Sequence, residues 1–492
     1  MEHKKKDEVY KNNRVKVLLE ILLRCCPGIR NIYILLRSKK GIDPQSRTEE
    51  LFNRTVFNKL KLENPDALKK VHVVPGDVSK PELGMDAKDI QKIIDEVSIV
   101  FHCAASISFL KPLRFLLENN VRATNSVIEL CKKLRTCEAL VYTSTAYSNC
   151  NRKLRIEERI YRLPYPAQRF MDALEKGNDD VLMQLTSECQ PHWPNYYSFS
   201  KCIAENLIAE KASDINTAII RPSLICSVWK GSLPGYGEEN SSLAQIAIGI
   251  GKGFLRVLEA STDATFDLIP VDVIANSHIV SAWHVAENRS QSPLVVNCTS
   301  TNAVSYTLHE YLDVLQKMLE KESGFPNAFR ETRTSIWIVK QRLVKEILSI
   351  YEHYVPAVFL DLVLLLRGKK PRLVSAYRFL DQATKVSKHF ILNSWHYDTN
   401  NFEALEDPLD KEDRNMFYTS LEGYNIDSLV GPLPTGAPFL DWKLDKMSKT
   451  ERVKLTKQVY AFSRFVQVVF LFCLMWLLYF VVSQVFHTIY IH

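Results

Sequence analysis

The sequence predicts a doubly wound α/β domain on a parallel sheet, then a smaller helical domain and a membrane-crossing helix near the carboxyl end. Three observations carry this. Short β-branched and aromatic runs alternate with longer helical stretches from residue 31 to about 220, the rhythm of βαβ units. Beyond about residue 290 that rhythm fades, and 355–429 reads as mostly helical. Residues 465–486 hold no charge at all. At 492 residues, 46% hydrophobic and 24% charged, the chain is long enough for about two or three compact units.

Taken in order, strands are expected at 31–36, 71–74, 98–102, 139–143 and 217–220, all apolar as suits strands covered on both faces. Helices fall between them at 16–25, stopped by Pro27 and Gly28, at 113–134 and at 196–211. These elements build a domain over 16–290, after an atypical charged segment at 1–15. A connecting region, 291–354, leads to the helical domain at 355–445. Within that domain 355–366 is apolar but short and interrupted by Asp361. It cannot cross a bilayer, which takes about 20 residues. It reads either as a buried core helix or as an interfacial helix on lipid, with Arg367, Lys369, Lys370 and Arg372 beside it. Residues 465–486 do meet the length, carry Trp476 and Tyr479, and follow a basic segment at 446–464 that includes Lys449, Arg452, Lys454, Lys457 and Arg464. Positive flanks stay in the cytosol, so the large domain is expected there, on an endoplasmic reticulum or peroxisomal membrane.

Composition excludes several classes. The net charge of +7 is dispersed rather than gathered in a stripe, so no nucleic-acid partner is expected; it suits anionic lipid or an anionic substrate. Eleven cysteines, without Cys-x-x-Cys or Cys/His ligand spacing, give no disulfide framework and no metal site. The amino terminus lacks the apolar core of a signal peptide.

Chemistry gathers at the expected strand ends. Tyr197 and Lys201 stand four apart at the start of the 196–211 helix, so both side chains share one face. A cation beside a phenol favours phenolate and tunes it for proton transfer near neutrality. With 20 tyrosines in the chain about one such pair arises by chance, so position has to add weight. It does: Thr143, Ser144 and Thr145 end the 139–143 strand, and the carboxyl end of a parallel strand is where ligands bind. A hydroxyl there can hold a substrate carbonyl. Asp77, after Gly76, ends the 71–74 strand where a carboxylate can accept from an adenine amino group. Ala104 follows His102 and Cys103, its small side chain letting a cofactor approach the backbone. Arg37 stands where an NAD enzyme places an acid for the ribose hydroxyl; a cation suits a 2′-phosphate, hence NADPH. Lys39, Lys40 and Arg47 can support it, although charges in such loops are usually only solvated.

The runs VFHCAASISF, ENNVRATNSVIEL, VYTSTAY, YSFSK, IIRPS, GKGFLR and DLIPVDVIANS, with the later GKKPRLVSAYRFLD and NSWHYDTNN, keep one order and spacing. In that order they resemble the alcohol-forming fatty acyl-CoA reductases, of the extended short-chain dehydrogenase/reductase superfamily, from Lys16 to about Leu429. The resemblance implies a Rossmann-type fold, reduction of long-chain fatty acyl-CoA to a primary alcohol with two NADPH, and Thr145, Tyr197 and Lys201 as the catalytic set. It also implies cofactor binding or its support by Arg37, Asp77, Ala104 and Asn120. The 52 positions between Thr145 and Tyr197 leave room for an inserted lid at 164–194. One departure stands out: the family opens with a strand and a glycine-rich turn ahead of Lys-Val-Leu-Leu-Glu, whereas here Lys16 to Glu20 follows Asn12, Asn13, Arg14 and Val15. The first strand of the sheet is therefore expected to be missing, and the functional polypeptide to carry it upstream. Two alternatives follow: a catalytically impaired membrane-tethered protein, and a membrane-bound sterol dehydrogenase.

Overall fold

The computed structural model describes residues 13–37, 44–152, 155–189, 193–237, 246, 249–250, 253–321, 336–425 and 449–491. Lys39 and Lys40, expected near a cofactor phosphate, lie outside the described residues. Two compact units form, each from several stretches of chain. Met1–Ser241, Phe266–Tyr306 and Trp395–Pro432 make the first; Ser242–Thr265, Thr307–Ser394 and Leu433–His492 make the second.

The first unit is the parallel α/β body. Its elements are α1 (Asn13–Cys25), β1 (Ile32–Leu36), β2 (Val71–Pro75) and β3 (Ile99–His102), then α2, a continuous helix of Leu113–Leu116, a π-helical turn Leu117–Arg122 and Ala123–Lys133. There follow β4 (Ala139–Thr143), α3 (Tyr196–Lys211), β5 (Thr217–Ile220), β6 (Leu224–Cys226), β7 (Leu268–Pro270), α4 (Val271–Glu287) and β8 (Leu294–Val296). Strands β8, β5, β4 and β3 form one parallel sheet in that order, with Ile99 opposite Ala139, Leu140 opposite Thr217 and Leu294 opposite Ala218. All four carboxyl ends therefore reach the same edge.

β1 and β2 pair in parallel with each other, Ile32 opposite Val71, in a sheet of their own. Among the described residues no strand joins β1 to β3. Burial records the difference. Every residue of β4 and β5 is buried, as their apolar runs predict, while β1 and β3 are mostly half-exposed. Side chains, not a ladder, bridge the two sheets: Asn31 and Tyr33 both donate to the Glu96 carboxylate, and Tyr33 and Leu35 pack with Val97 and Val100.

α3 is the central helix, buried at every residue from Tyr197 to Ile208. Asn195 starts it by accepting the Ser198 N–H at 2.8 Å, a cap that contributes about 1 kcal/mol. On the other side Val17, Leu18 and Ile21 of α1 cluster with Val271 and Ala275 of α4. The inserted stretch at 164–194 is not an open lid. Its helices Ala167–Glu175 and Asp179–Cys189 bury Phe170, Met171, Leu174, Leu182 and Leu185 in the same core as α3. That apolar surface is already used in packing.

The second unit pairs Val257–Glu259 with Trp337–Val339, and its described residues are otherwise mostly helical. The segment 355–366, expected to be a short separate helix, is the end of a longer one: Arg342–Ser349, a π-helical turn Ile350–Tyr354 and Val355–Leu366, together α5. Pro356 breaks nothing because it falls in the first turn after the π segment, where a missing N–H costs little. α6 (Leu373–Leu392) follows, and Ala357, Leu360, Leu373 and Tyr377 form a small core between α5 and α6. Asp361 is the cap of α6, accepting the N–H groups of Arg372, Leu373 and Val374 at 2.8–3.0 Å. α7 (Lys449–Ile491) contains Tyr460–Phe480, long and apolar enough to cross a membrane; α5 passes the same test of length and composition.

Candidate active site

At the carboxyl end of β4 the backbone stays paired one step beyond the strand: Ser144 N–H donates to Ile220 O at 2.7 Å and Ala146 N–H to Pro222 O at 2.9 Å. Thr145 between them is extended, and its Oγ1 accepts the Tyr147 N–H at 3.3 Å. That leaves the Thr145 O–H free to turn toward the Tyr197 phenol. Burial pushes the Tyr197 phenol above its ordinary value; the Arg14 cation and the nearby Thr145 hydroxyl act the other way. Tyr197 is thus a protonated donor at neutral pH. The Phe109 ring lies 5.6 Å from its ring.

Lys201, four residues on, is 2% exposed. Its Nζ donates to Thr143 O at 2.7 Å and to the Tyr142 hydroxyl at 3.2 Å, and lies 4.6 Å from the Tyr142 ring centroid. The two hydrogen bonds turn the ammonium toward the strand rather than directly onto the Tyr197 oxygen. Burial first, then the Arg14 cation, lowers the Lys201 pKa to about 7.

Asn120 sits in the π-helical turn of α2 and ties three pieces together. Its Oδ1 accepts the Ser106 N–H at 2.7 Å, while its Nδ2 donates to Ser106 O at 3.1 Å and Ser200 Oγ at 2.9 Å. Ser200 in turn donates to Tyr197 O at 2.8 Å. Asn120 therefore fixes the loop carrying half-buried Ala104 against α3. Arg37 and Asp77 meet at the ends of β1 and β2: Arg37 Nε to Asp77 Oδ1 is 3.0 Å, and Arg37 Nη2 to Asn119 Oδ1 is 2.8 Å. Burial alone would raise the Asp77 carboxyl, but hydrogen bonds from Ser79 and the Arg37 guanidinium outweigh it and hold the group below its usual value. Arg47, buried, donates to Arg37 O.

These residues fit a dinucleotide's adenosine end. Arg37 is 37% exposed and commits two of its three nitrogens among the described residues. Gly76 has no space for a side chain, since an added Cβ would meet Leu35 Cδ1 at 2.3 Å and Leu83 O at 2.7 Å. Its neighbour Asp77 is therefore held on a fixed backbone.

Three groupings were missed by sequence reasoning. Tyr142 is a partner of Lys201. Thr143 Oγ1 bonds His278 Nε2 at 2.7 Å, with His278 Nδ1 on Ile274 O at 2.7 Å and Cys103 Sγ at 3.3 Å from the same hydroxyl. Glu205 accepts from Ser144 Oγ at 2.5 Å and takes Arg221 in a two-pronged pair at 2.6 and 3.0 Å, the two side chains being 1% and 0% exposed. Glu205 stands four residues past Lys201, one signal that could have marked it; Arg221 in the IIRPS run is another.

A parallel sheet with a hydroxyl, a phenol and a buried lysine at its carboxyl edge defines the class, a reductase-type α/β protein with a nicotinamide-nucleotide domain. Two family models, both described as Male sterility protein, match the chain: an NAD-binding model at residues 15–278 and a second, sterile, model at 352–431. The chain is 35% identical over 404 residues to fatty acyl-CoA reductase 1 of Xenopus laevis, and 34% identical over 404 residues to that of Homo sapiens, in each case covering 82% of this chain and 77% of the relative. It belongs to the fatty acyl-CoA reductase family. Among solved structures, the terminal R domain of the myxalamid PKS-NRPS pathway shares the fold, with TM-score 0.51 at 17% identity over 84% of this chain and 89% of that one.

Proposed function

We propose that this chain reduces a long-chain fatty acyl-CoA to the primary fatty alcohol, with NADPH as reductant and release of CoA. The observation that carries the reading is the buried cluster at the carboxyl end of β4: Thr145 just past the strand, Tyr197 on α3, and Lys201 one helical turn on, bonded to Thr143 O. Arg37, Asp77 and Ala104 hold the nucleotide. Bound NADPH supplies the hydride, once for the thioester and once for the aldehyde.

The protein's own part is proton handling. Tyr197, protonated and oriented by Thr145, donates to the acyl carbonyl oxygen as the carbon becomes tetrahedral. Lys201, charged below about pH 7, stabilises the phenolate left behind. Return of that proton to Tyr197 lets the thiohemiacetal re-form a carbonyl while its C–S bond breaks and the CoA thiolate leaves. A second cycle at the same residues takes the aldehyde to the alcohol, which keeps the Tyr197 proton, and the phenolate is then reprotonated from solvent once the product leaves. Burial around Tyr197 and Lys201 excludes water and strengthens each of these interactions.

The same reading makes α7 a membrane anchor, crossing at about 465–486, with the first unit in the cytosol on an endoplasmic reticulum or peroxisomal membrane. The 34–35% identity to fatty acyl-CoA reductases over 82% of the chain favours this substrate over a sterol. The test is NADPH oxidation with palmitoyl-CoA, with a sterol and with no substrate, alcohol being measured by mass spectrometry. Alcohol from palmitoyl-CoA alone is expected. Oxidation only with the sterol overturns the substrate, and NADPH binding without turnover of either points to the impaired protein.

A further inference from the structure

The buried face of α5 carries polar side chains, Lys345, Glu352, His353 and Asp361, beside Val355, Ala357 and Leu360. Lys345 pairs with Asp381 at 2.8 Å, Glu352 with Arg464 at 3.1 Å, and Gln467 of α7 donates to Tyr351 O at 2.8 Å. His353 Nε2 accepts the Arg256 N–H at 3.0 Å, and Asp361 caps α6. The outward face is apolar: Leu343, Ile347, Ile350, Val358, Leu362 and Leu365 are 49–73% exposed. They recur every three or four residues, with half-buried Tyr354 filling the one longer interval, and so form a single stripe.

A helix in water shows the opposite arrangement, so the stripe needs an apolar surrounding. Two features of the same unit say which. Through Glu352, Arg464 and Gln467 the helix is clamped to α7, just where the exposed apolar stretch from Phe465 onward begins. Beyond Leu366, exposed Arg367, Lys369, Lys370 and Arg372 form a cationic turn, the charge that anionic headgroups attract. Although α5 is long and apolar enough on average to cross a bilayer, Lys345, Glu352 and Asp361 interrupt it at intervals far below the roughly 20 apolar residues a crossing takes. All three are paired with protein groups on one face, which suits a helix lying in the interface.

We propose that α5 lies in the plane of the membrane interface, its 343–365 stripe dipped into lipid and its basic turn on anionic headgroups. It is a second membrane contact locked to the first by the Glu352–Arg464–Gln467 clamp. This rests on the reading of α7 as the crossing helix.

The experiment uses the full chain reconstituted in phosphatidylcholine vesicles containing about a fifth phosphatidylserine. A benzophenone amino acid is placed singly at Leu362, at Ile347, at Phe472 of α7, and at exposed Gln382 of α6, and irradiated. Lipid adducts at Leu362 and Ile347 are expected within about twofold of the Phe472 yield and at least tenfold above Gln382. In vesicles without phosphatidylserine the Leu362 yield should fall severalfold while Phe472 is unchanged. Adducts at Phe472 with none at Leu362 and Ile347 overturn the proposal and leave the anchor standing. A dimer-sized adduct at Leu362 means a second copy covers the stripe, which also overturns it. Absence of lipid adducts at all four positions overturns both the proposal and the anchor.

Discussion

In the proposed mechanism Tyr197 and Lys201 do different things, and their variants should separate. Replacing Tyr197 with Phe removes the proton donor and is expected to lower kcat about 10²–10⁴-fold with an unchanged circular dichroism spectrum. Lys201 makes the reaction pH-sensitive. Its pKa near 7 lies below the ordinary lysine value, so the ammonium is present below about pH 7 and lost above it. We expect kcat/KM to decline as pH rises through about 7, and Lys201→Arg, which keeps its proton, to shift that decline upward; a profile flat from pH 6 to 9 in the unmodified protein would count against this role. Arg37→Ala should erase most of an NADPH-over-NADH preference, about tenfold or more for a charged hydrogen bond, read as the ratio of kcat/KM for the two nucleotides. The spacing of Tyr197 and Lys201 and the position of Thr145 at a strand end were legible because helix period and parallel topology fix them. The Lys201 partners were not. Which way a buried ammonium turns depends on Tyr142 and the Thr143 carbonyl, contacts that arise only when β4 and α3 pack.

At the scale of elements, α3 is held by a charge network that sequence separation conceals. Glu205 reaches back to Ser144 after β4 and across to Arg221 after β5. One side chain thus spaces the helix from two strands. Glu205→Gln leaves the Arg221 guanidinium buried without its counter-charge, a loss of about 3–5 kcal/mol measurable by urea unfolding. The double change Glu205→Leu with Arg221→Met should cost less than the single one, because it removes both charges. α5 shows the complementary limit of pattern reading. Apolar residues at 355–366 were visible, but Pro356 and Glu352 hid the continuity with 342–354. Only the clamp to α7 and the cap on α6 reveal that its polar residues point inward.

At the scale of the molecule, two buried histidines tie the first unit to pH. Burial depresses His102 to about 3 and His278 to about 4. A folded-state pKa below the unfolded value near 6.5 means the unfolded chain binds the extra proton first. The stabilisation is complete above about pH 6.5 and is lost as pH falls toward 4. The urea midpoint should therefore drop over that window, and His278→Asn, which can still bond Thr143 and cannot titrate, should make the drop shallower. Strands β3, β4 and β5 and the position of the site on their carboxyl edge followed from the strand rhythm; the order β8-β5-β4-β3 did not, because Leu294–Val296 is a three-residue strand beyond the stretch where that rhythm is visible.

The separation of the β1–β2 pair from β3 has a consequence in time. Strands β4 and β5 are hydrogen-bonded on both sides and buried, whereas the β1–β2 pair joins the body by side chains alone, the Glu96 carboxylate on one side and the packing of Ile32, Ile34 and Val71 against α1 and α4 on the other. Such a pair can open on its own while the main sheet stays closed. In a deuterium-exchange experiment the amides of Ile32–Leu36 and Val71–Pro75 are expected to exchange together, as one cooperative block, well before those of Ala139–Thr143. If Arg37 and Asp77 at its end hold the nucleotide as proposed, addition of NADPH should slow that block selectively, and the cofactor would act as the splint that sets the lifetime of the closed form.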